Sequence, residues 1–315
     1  MPENVDKTGK IFKSTKNTHF MAEKLLSDAP DNADVLLLGI EYDRTSSFGK
    51  GSDKGPKKII DCFNAQLELY ERNAGWSPAR HLKISSAVLS DLKNKEPELM
   101  AKEVSSEYLK KIKEHKFIVS LGGEHSITAG ILDAWSKSKP ANKVTVLQVD
   151  AHLDLRDDDS DYSMEPSRFA HSCVMKRALD MGYKMVSVGI RAYADFELKT
   201  AKANRVRIFE WPCSESNALI REIISSIKTN DVYISLDADG IDPAHMPATG
   251  TPVQGGLSWK FAFDLLRELF KRKNVIGTDI VEVAPRPYDQ LTEFGAAQLC
   301  YFMIAMKFKN HNKQR

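Results

Sequence analysis

The chain has 315 residues, of which 42% are hydrophobic and 28% charged, and its 45 basic and 43 acidic residues leave a formal net charge of +2. This near-balance, without a long Lys/Arg run, excludes the basic surface of a typical nucleic-acid-binding protein. No apolar run approaches the roughly 20 residues of a membrane span, and none near the N-terminus has signal-peptide length. Four widely spaced cysteines argue against a disulfide framework. We therefore expect a globular cytoplasmic protein.

Short apolar runs alternate along the chain with segments of helical spacing. The first run is 33–39, and the segment 57–72 that follows it places Ile59, Ile60 and Phe63 on one side. Brief runs bounded by Gly, Asp or Lys are typical of strands buried on both faces. The other predicted strands are 82–89, 117–121, 144–150, 185–189, 206–209, 232–237 and 275–280, and the other predicted helices are 99–115, 127–135, 174–180, 196–203, 217–228, 259–271 and 295–307.

This alternation predicts the α/β class, with a mostly parallel sheet and helices on both of its faces. No internal repeat or low-complexity linker divides the chain, so a single three-layer α/β/α domain is the simplest architecture. We assign residues 34–310 to this domain, 1–33 to an N-terminal extension and 311–315 to a C-terminal tail. The spacing of the elements leaves the order of the strands in the sheet open.

Polar clusters follow four of the predicted strands. GGEHS (122–126) follows the third strand, DAHLD (150–154) ends the fourth, DAD (237–239) ends the seventh, and Glu282 follows the eighth. Ligand sites in open α/β sheets lie beyond the carboxyl ends of the strands. We therefore predict that the four clusters meet at one site.

Asp150, His152 and Asp154 have the spacing i, i+2, i+4, which places them on the same side of an extended chain. Burying three such groups together is unfavourable unless a cation or hydrogen bonds compensate. Carboxylates and imidazoles are ordinary metal ligands, so a metal ion is the preferred explanation. A surface turn with a capping Asp is the alternative.

Asp237 and Asp239 repeat this pattern, and their carboxylates repel each other unless they share protons or metals. A capping or Ca²⁺-like loop is the alternative for this pair, and His125 alone, after a Gly pair, is more often structural. Together the clusters supply two imidazoles and four carboxylates, which suits two divalent ions. Mn²⁺ fits this set best, and Co²⁺, Ni²⁺, Fe²⁺ and Zn²⁺ are compatible with it. Two ions about 3.5–4 Å apart lower the pKa of a bridging water and hold hydroxide near neutral pH.

The motifs resemble those of the ureohydrolase family, which contains the arginases, the agmatinases and their relatives. The similarity extends over residues 34–307. It implies an α/β sandwich around an eight-stranded parallel sheet, assembled as trimers or hexamers. The matching segments are GGEHS (122–126), DAHLD (150–154), SLDADGIDPAHMPATGTPVQGG (235–256), DIVEVAPRPYD (279–289), TEFGAAQL (292–299) and an early stretch (42–59) similar to agmatinases.

The resemblance implies a role for each matching residue in a binuclear metal site. His125 and Asp154 bind the first ion and His152 and Asp239 the second, while Asp150 and Asp237 bridge the two.

Three residues are expected to take part in catalysis. Glu282 matches the carboxylate that orients the guanidinium group, and His171 in FAHSC matches a proton shuttle or substrate contact. In the implied mechanism a bridging hydroxide attacks the guanidinium carbon, and Asp154 and His171 relay a proton to the leaving amine. Urea and an alkylamine are the products.

The segment between Asp154 and His171 bears on the choice of substrate. It lacks the Asn-containing loop and the SGN-type motif of arginases, and FAHSC followed by VMKRAL is closer to agmatinases. An acidic rim favours a substrate that ends in an amine, although a solvated loop is the alternative. We therefore expect agmatine, hydrolysed to putrescine and urea. The acidic residues of the segment are Asp157, Asp158, Asp159, Asp161 and Glu165.

Other substrates stay open. The stretch PATGTPV (247–253) is similar to arginases, and Arg156 or Arg168 could clamp a carboxylate, which would favour guanidinobutyrate or another guanidino acid. Arginine, aminopropylagmatine and guanidine are further alternatives, as is a catalytically inactive regulatory homologue. A deacetylase-like metalloenzyme would lack the second Asp of DAD, so Asp239 argues against it.

Overall fold

The computed structural model describes residues 4–5, 11–12, 26, 33–89 and 91–309. Its centre is a single eight-stranded sheet, as the family resemblance implies. Asn4–Val5 pairs with Ile11–Phe12 as a separate antiparallel ladder. The strands of the main sheet are β1 (Val35–Ile40), β2 (Ile84–Leu89), β3 (Phe117–Gly122), β4 (Val144–Val149), β5 (Lys184–Ile190), β6 (Arg207–Glu210), β7 (Asp231–Asp237) and β8 (Asn274–Val281).

All neighbouring strands of this sheet run parallel, in the order β2-β1-β3-β8-β7-β4-β5-β6. Strands β3, β8, β7 and β4 are therefore consecutive at the centre of the sheet, although β5, β6 and β7 lie between β4 and β8 in the chain. These are the four strands that carry the polar clusters. Their carboxyl ends lie side by side, which is the geometry that the sequence leaves open.

Helices cover both faces of the sheet and complete the predicted three layers. Alternate residues of β1 point to opposite sides: Val35 and Leu37 join one core cluster, whereas Leu36, Leu38 and Ile40 join the other. The first cluster is covered by α1, α6, α7 and α8, and the second by α2 to α5. The helices are α1 (Gly55–Gln66), α2 (Pro97–Glu114), α3 (Ile127–Ser138), α4 (Val174–Asp180), α5 (Asp195–Ala203), α6 (Asn217–Ser226), α7 (Trp259–Arg272) and α8 (Leu291–Phe308).

Two helix boundaries differ from the prediction by four or more residues, each for a local reason. Helix α1 ends at Gln66 rather than at residue 72, because the chain turns extended at Leu67 (φ −75°, ψ 135°). A turn then closes where Glu71 pairs with Trp76. Helix α8 begins at Leu291, four residues earlier than predicted, since the Asp289 carboxylate accepts the Leu291 N–H at 3.0 Å.

The predicted extension, residues 1–33, lies mostly outside the described residues, and the predicted tail, 311–315, lies wholly outside them. Those two boundaries stay predictions. Among the helices that the structure describes, none is long and apolar enough to cross a membrane.

Candidate metal centre and active-site cavity

A cavity of about 370 Å³ opens at the carboxyl ends of the central strands. We call it the active-site cavity. It contains all of the predicted site residues except Asp150, which lies fully buried beside it. The predicted residues that line the cavity are His125, His152, Asp154, His171, Asp237, Asp239 and Glu282. The fold therefore brings together every candidate that the motifs identify.

His125 stands at the centre of the first group of candidate ligands. Its Nδ1 atom lies 3.1 Å from Asp154 Oδ2 and 3.3 Å from both Asp150 Oδ2 and Asp237 Oδ2. This nitrogen is buried and has no hydrogen-bond partner among the described residues. A buried nitrogen surrounded by carboxylate oxygens, but not bonded to them, is suited to a metal ion.

A second group forms around His152. Its Nδ1 atom lies 3.1 Å from Asp239 Oδ2 and 3.6 Å from Asp150 Oδ1. The donor atoms of Asp150, His152 and Asp239 all lie within 4.8 Å of one another, as do those of Asp150, His125 and Asp237. Asp150 belongs to both groups and turns one oxygen toward each imidazole. The described residues thus contain a candidate binuclear metal centre that shares one carboxylate.

The electrostatics of this cluster favour cations. Burial raises the pKa of Asp237 well above its ordinary range, and the nearby carboxylates of Asp239 and Asp150 raise it further. Burial and Asp150 likewise raise the pKa of Asp154 to about 6. Crowded buried carboxylates ionise readily only when positive charge compensates. Oxygen-rich ligands with two imidazoles fit two divalent ions, so the residues present match the binuclear site that the sequence motifs predict.

The ligand motifs fold locally so that their side chains are held in place. Asp150 Oδ1 accepts the His152 N–H at 2.6 Å. Asp237 Oδ1 accepts the Asp239 N–H at 2.8 Å. Each i, i+2 pair thus closes a short side-chain-to-backbone turn, which is a common habit of Asp. The spacing that places the carboxylates on one side also orients them.

A second layer of polar residues, which the sequence analysis missed, orients His125. Ser235 Oγ donates to Asp279 Oδ1 at 2.8 Å, so it accepts from His125 Nε2–H, also at 2.8 Å. This fixes the neutral imidazole with its lone pair on Nδ1, facing the carboxylates. Asp279 is fully buried and also accepts hydrogen bonds from Tyr233 and Thr128.

Gln148 orients the carboxylate of Asp150 in the same way. Its Nε2 atom donates to Asp150 Oδ2 at 2.9 Å, and its Oε1 atom accepts from Ser187 at 2.8 Å. Gln148 and Ser235 each precede a ligand aspartate by two residues in a buried strand. A polar residue at that position points to the same face as the ligand, and this signal could have identified both.

Glu282 lies in the left-handed region with φ 61°, and Asp154 does so with φ 51°. Residues other than glycine adopt this conformation rarely, and they concentrate at functional sites. Glu282 Oε1 accepts the His125 N–H at 2.7 Å, and the Glu282 N–H donates to the Gly123 carbonyl at 2.8 Å. Burial raises the pKa of Glu282 well above its usual range, and the Glu124 carboxylate adds to this effect. A cation in the cavity would favour its charged form.

His171 lines the cavity and is held in place by the loop that contains Thr45. Thr45 Oγ1 accepts the His171 N–H at 3.0 Å and donates to Glu124 Oε1 at 2.6 Å. The ring Nε2 atom lies 3.5 Å from Ser47 Oγ. Burial lowers the pKa of His171, which favours the neutral imidazole. Glu124 of the GGEHS motif, to which we assigned no role, anchors this loop.

Arg191, which no motif singled out, joins three segments around the site. Its guanidinium donates to the carbonyls of Asp239 at 2.5 Å, Val253 at 2.7 Å and Gly189 at 2.8 Å. These carbonyls belong to the DAD turn, the loop after it, and β5. A guanidinium has five donors in a fixed plane, so one Arg can hold several loops at once.

The two arginines considered as carboxylate clamps are already engaged. Arg156 lines the cavity, but it is ion-paired with Asp161 and its guanidinium lies 5.3 Å from the centre of the Tyr162 ring. Arg168 is exposed, pairs with Asp157 at 3.1 Å, and does not line the cavity. Neither offers a free guanidinium to a substrate carboxylate.

Comparison with known proteins agrees with this geometry. A family model described as the arginase family matches residues 33–305. The chain belongs to the arginase family. The predictions of a ureohydrolase and of an arginase-like α/β fold are thereby confirmed, and the protein is a hydrolase of this family.

Individual relatives cover nearly the whole chain. A protein of Synechocystis sp. named N(1)-aminopropylagmatine ureohydrolase is 34% identical, over 94% of this chain and 95% of the relative. An agmatinase of Pyrococcus horikoshii is 32% identical, over 87% of this chain and 92% of the relative. The crystal structure of the agmatine ureohydrolase of Thermoplasma volcanium superposes with a TM-score of 0.80 at 30% identity, over 94% of this chain and 98% of that one.

Proposed function

We propose that this protein hydrolyses a guanidino compound with an amine tail, the class to which agmatine belongs, to urea and an amine. The observation that carries this proposal is the pair of donor groups that share Asp150 beneath a cavity lined by Glu282. Two divalent ions bound there would supply the Lewis acidity that makes water a nucleophile near neutral pH. We expect these ions to be Mn²⁺, with Ni²⁺ or Co²⁺ as alternatives.

The ion ligands follow the assignment that the motifs imply. His125 and Asp154 would hold one ion, His152 and Asp239 would hold the other, and Asp150 and Asp237 would complete the set of ligands. The distances around His125 Nδ1 support its grouping with Asp154, Asp150 and Asp237. Those around His152 Nδ1 support its grouping with Asp239 and Asp150.

The reaction requires that the substrate be oriented and its leaving nitrogen protonated. Glu282 binds the planar guanidinium by charge-assisted hydrogen bonds through the oxygen not engaged with His125. Asp154, which lines the cavity with its Oδ2 atom 3.1 Å from His125 Nδ1, would carry a proton to the leaving nitrogen. His171, neutral on the opposite wall, contacts the substrate or passes that proton to solvent.

Two features support an amine tail rather than a carboxylate. Arg156 is the one basic side chain other than the histidines among the described residues that line the active-site cavity, and Asp161 already neutralises it. Relatives that match nearly the whole chain carry the names agmatinase and N(1)-aminopropylagmatine ureohydrolase. A homo-trimer or homo-hexamer in the cytoplasm is our further expectation, by resemblance to the family.

The test is urea release by protein loaded with Mn²⁺ and, in parallel, with Ni²⁺ or Co²⁺. The substrates are agmatine, N1-aminopropylagmatine, arginine, guanidinobutyrate and free guanidine. We expect turnover of the two amine-tailed compounds. Activity confined to arginine, guanidinobutyrate or guanidine would contradict the tail assignment. If none of the five compounds releases urea with any of the metals, the result would support a catalytically inactive homologue.

A further inference from the structure

A second cavity of about 530 Å³ adjoins the active-site cavity. We call it the distal cavity, lined by residues 44–47, 96–98, 159 and 162–167. Ser47 and Tyr162 line both cavities, so the two spaces adjoin at these two residues. A substrate whose guanidino end lies at the metal centre could therefore extend past Ser47 and Tyr162 into the distal cavity.

Asp159 gives the distal cavity a specific charge. Its residue surface is only 3% exposed, and its Oδ1 atom accepts the Ser167 N–H at 2.6 Å. Within the described ranges, no basic side chain pairs with it. Burying a carboxylate without a compensating cation is unfavourable. A cationic group in the cavity would supply that compensation.

Apart from Asp159 and Glu165, the charged residues described at the distal cavity are ion-paired. Arg44 is the basic residue among those that line this cavity, and it pairs with Glu96 at 2.6 Å. Glu98 pairs with Lys102 at 2.8 Å. The distal cavity therefore offers carboxylate without offering a free cation. This charge balance favours a substrate tail that ends in an ammonium group over one that ends in an acid.

The acidic segment that precedes His171 is divided by the fold. Asp159 and Glu165 line the distal cavity, whereas Asp157 pairs with Arg177 at 2.9 Å on α4 and Asp161 pairs with Arg156. Methylene groups also find apolar surface here, because Met164 is almost fully exposed at this cavity and Pro166 lies beside it.

We propose that the distal cavity is the subsite for the terminal ammonium of a substrate longer than agmatine, a linear guanidino-polyamine, and that Asp159 receives this ammonium. The inference rests on the proposed function and narrows its substrate class. Water adds to the guanidinium carbon and its oxygen becomes that of urea. The bond from that carbon to the chain nitrogen breaks, and the nitrogen takes a proton and leaves as a triamine.

The first test compares kcat/KM for N1-aminopropylagmatine and agmatine in the Mn²⁺-loaded enzyme. We expect the longer substrate to be preferred at least about tenfold, which corresponds to one added charge-assisted contact. Asp159→Asn keeps an acceptor for the Ser167 N–H but removes the charge. It should lower the ratio of the two kcat/KM values about tenfold, mainly through KM for the longer substrate.

A matched control uses the neighbouring Asp158, which lines neither cavity and whose carboxylate accepts the Ser160 N–H at 3.1 Å. Asp158→Asn keeps that acceptor as well, and it should leave the ratio unchanged. An equal fall in the ratio with both variants would overturn the proposal, as would a wild-type preference for agmatine.

A second readout does not depend on turnover. Calorimetry on the Mn²⁺-loaded protein should show tighter binding of spermidine, the triamine product, than of putrescine, the diamine product of agmatine. Asp159→Asn should remove this difference. Equal binding of the two amines by the wild type would contradict the subsite. If neither guanidino substrate releases urea, the proposed function fails, and this calorimetric comparison still decides whether the subsite exists.

Discussion

The Oε1 atom of Glu282 accepts a hydrogen bond from the backbone N–H of His125 at 2.7 Å. This contact joins the residue proposed to orient the guanidinium to a residue proposed to hold an ion. The two lie 157 positions apart in the chain, and they meet because β3 and β8 are neighbours in the sheet. The candidate metal centre and the carboxylate proposed to bind the guanidinium are therefore positioned by the same pair of neighbouring strands.

Glu282→Gln tests the role of that carboxylate. Glutamine can still accept the His125 N–H, but it cannot provide a charged partner for a guanidinium. We expect kcat/KM to fall about ten- to hundredfold, the range of one hydrogen bond to a charged group, while two ions remain bound. Steady-state kinetics and elemental analysis measure the two quantities. Glu293→Gln, a change at a buried glutamate that lines neither cavity, is the control; loss of metal in Glu282→Gln would assign Glu282 to the metal centre instead.

Asp150→Asn tests the shared carboxylate. Because Asp150 belongs to both donor groups, we expect the substitution to reduce metal content and urea release together. The control is Asp231→Asn. Asp231 begins β7, at the end of the strand away from the site, and pairs there with Lys139, so this change should leave metal content and urea release unchanged. Full activity with two ions retained in Asp150→Asn would refute the assignment.

Ser235→Ala tests the orientation of His125. The change leaves His125 Nε2–H and Asp279 Oδ1 each without the Ser235 partner, and we expect metal affinity to fall about 10- to 100-fold, as for other residues that orient a ligand histidine. Ser85→Ala is a matched control, since Ser85 is also a fully buried strand serine but its hydroxyl has no hydrogen-bond partner among the described residues. Metal titration followed by calorimetry gives both affinities, and equal affinities would show that the Ser235 contact is dispensable.

Metal binding should stabilise the fold. The metal-free site holds several buried carboxylates that repel one another, so ions that bind only the folded state raise the free energy of unfolding. At a free Mn²⁺ concentration of 100 times Kd, the expected gain is about 2.7 kcal/mol. Thermal denaturation with and without a chelator measures it. A Tm that does not respond to Mn²⁺, Ni²⁺ or Co²⁺ would speak against a metal centre formed by the folded chain.

Gly123→Ala tests the close approach of backbone segments beneath the site. A Cβ atom at this position would lie 1.9 Å from the Tyr42 carbonyl oxygen, which cannot move without displacing the loop that holds His171. We expect a loss of about 1–3 kcal/mol or more in the free energy of unfolding, measured by chemical denaturation. Gly295→Ala is the control, because its Cβ would meet only the far end of the Trp259 ring at 3.1 Å. Equal free energies of unfolding for Gly123→Ala and Gly295→Ala would show that the predicted clash with the Tyr42 carbonyl does not destabilise the fold.

Much of the candidate site could be predicted from local sequence. The i, i+2 spacing in DAHLD and DAD places ligand side chains on one face of an extended segment, whatever the rest of the chain does. The alternation of apolar runs with helical segments likewise determines the α/β class. Residue type determines the chemistry, since carboxylates with imidazoles select divalent ions of intermediate hardness. These properties depend on neighbours within a few positions of each residue.

The tertiary structure alone decided the rest. The order β3-β8-β7-β4 depends on which faces the helices cover, so no spacing in the sequence expresses it. The five acids between Asp154 and His171 look alike in sequence, yet packing buries Asp159 beside the distal cavity and pairs Asp157 and Asp161 with arginines. A side chain's charge is local, but its partners and its exposure are set by residues far away in the chain. The residue types of the candidate site could therefore be predicted from its motifs, whereas the shape and charge of the cavities around it could not.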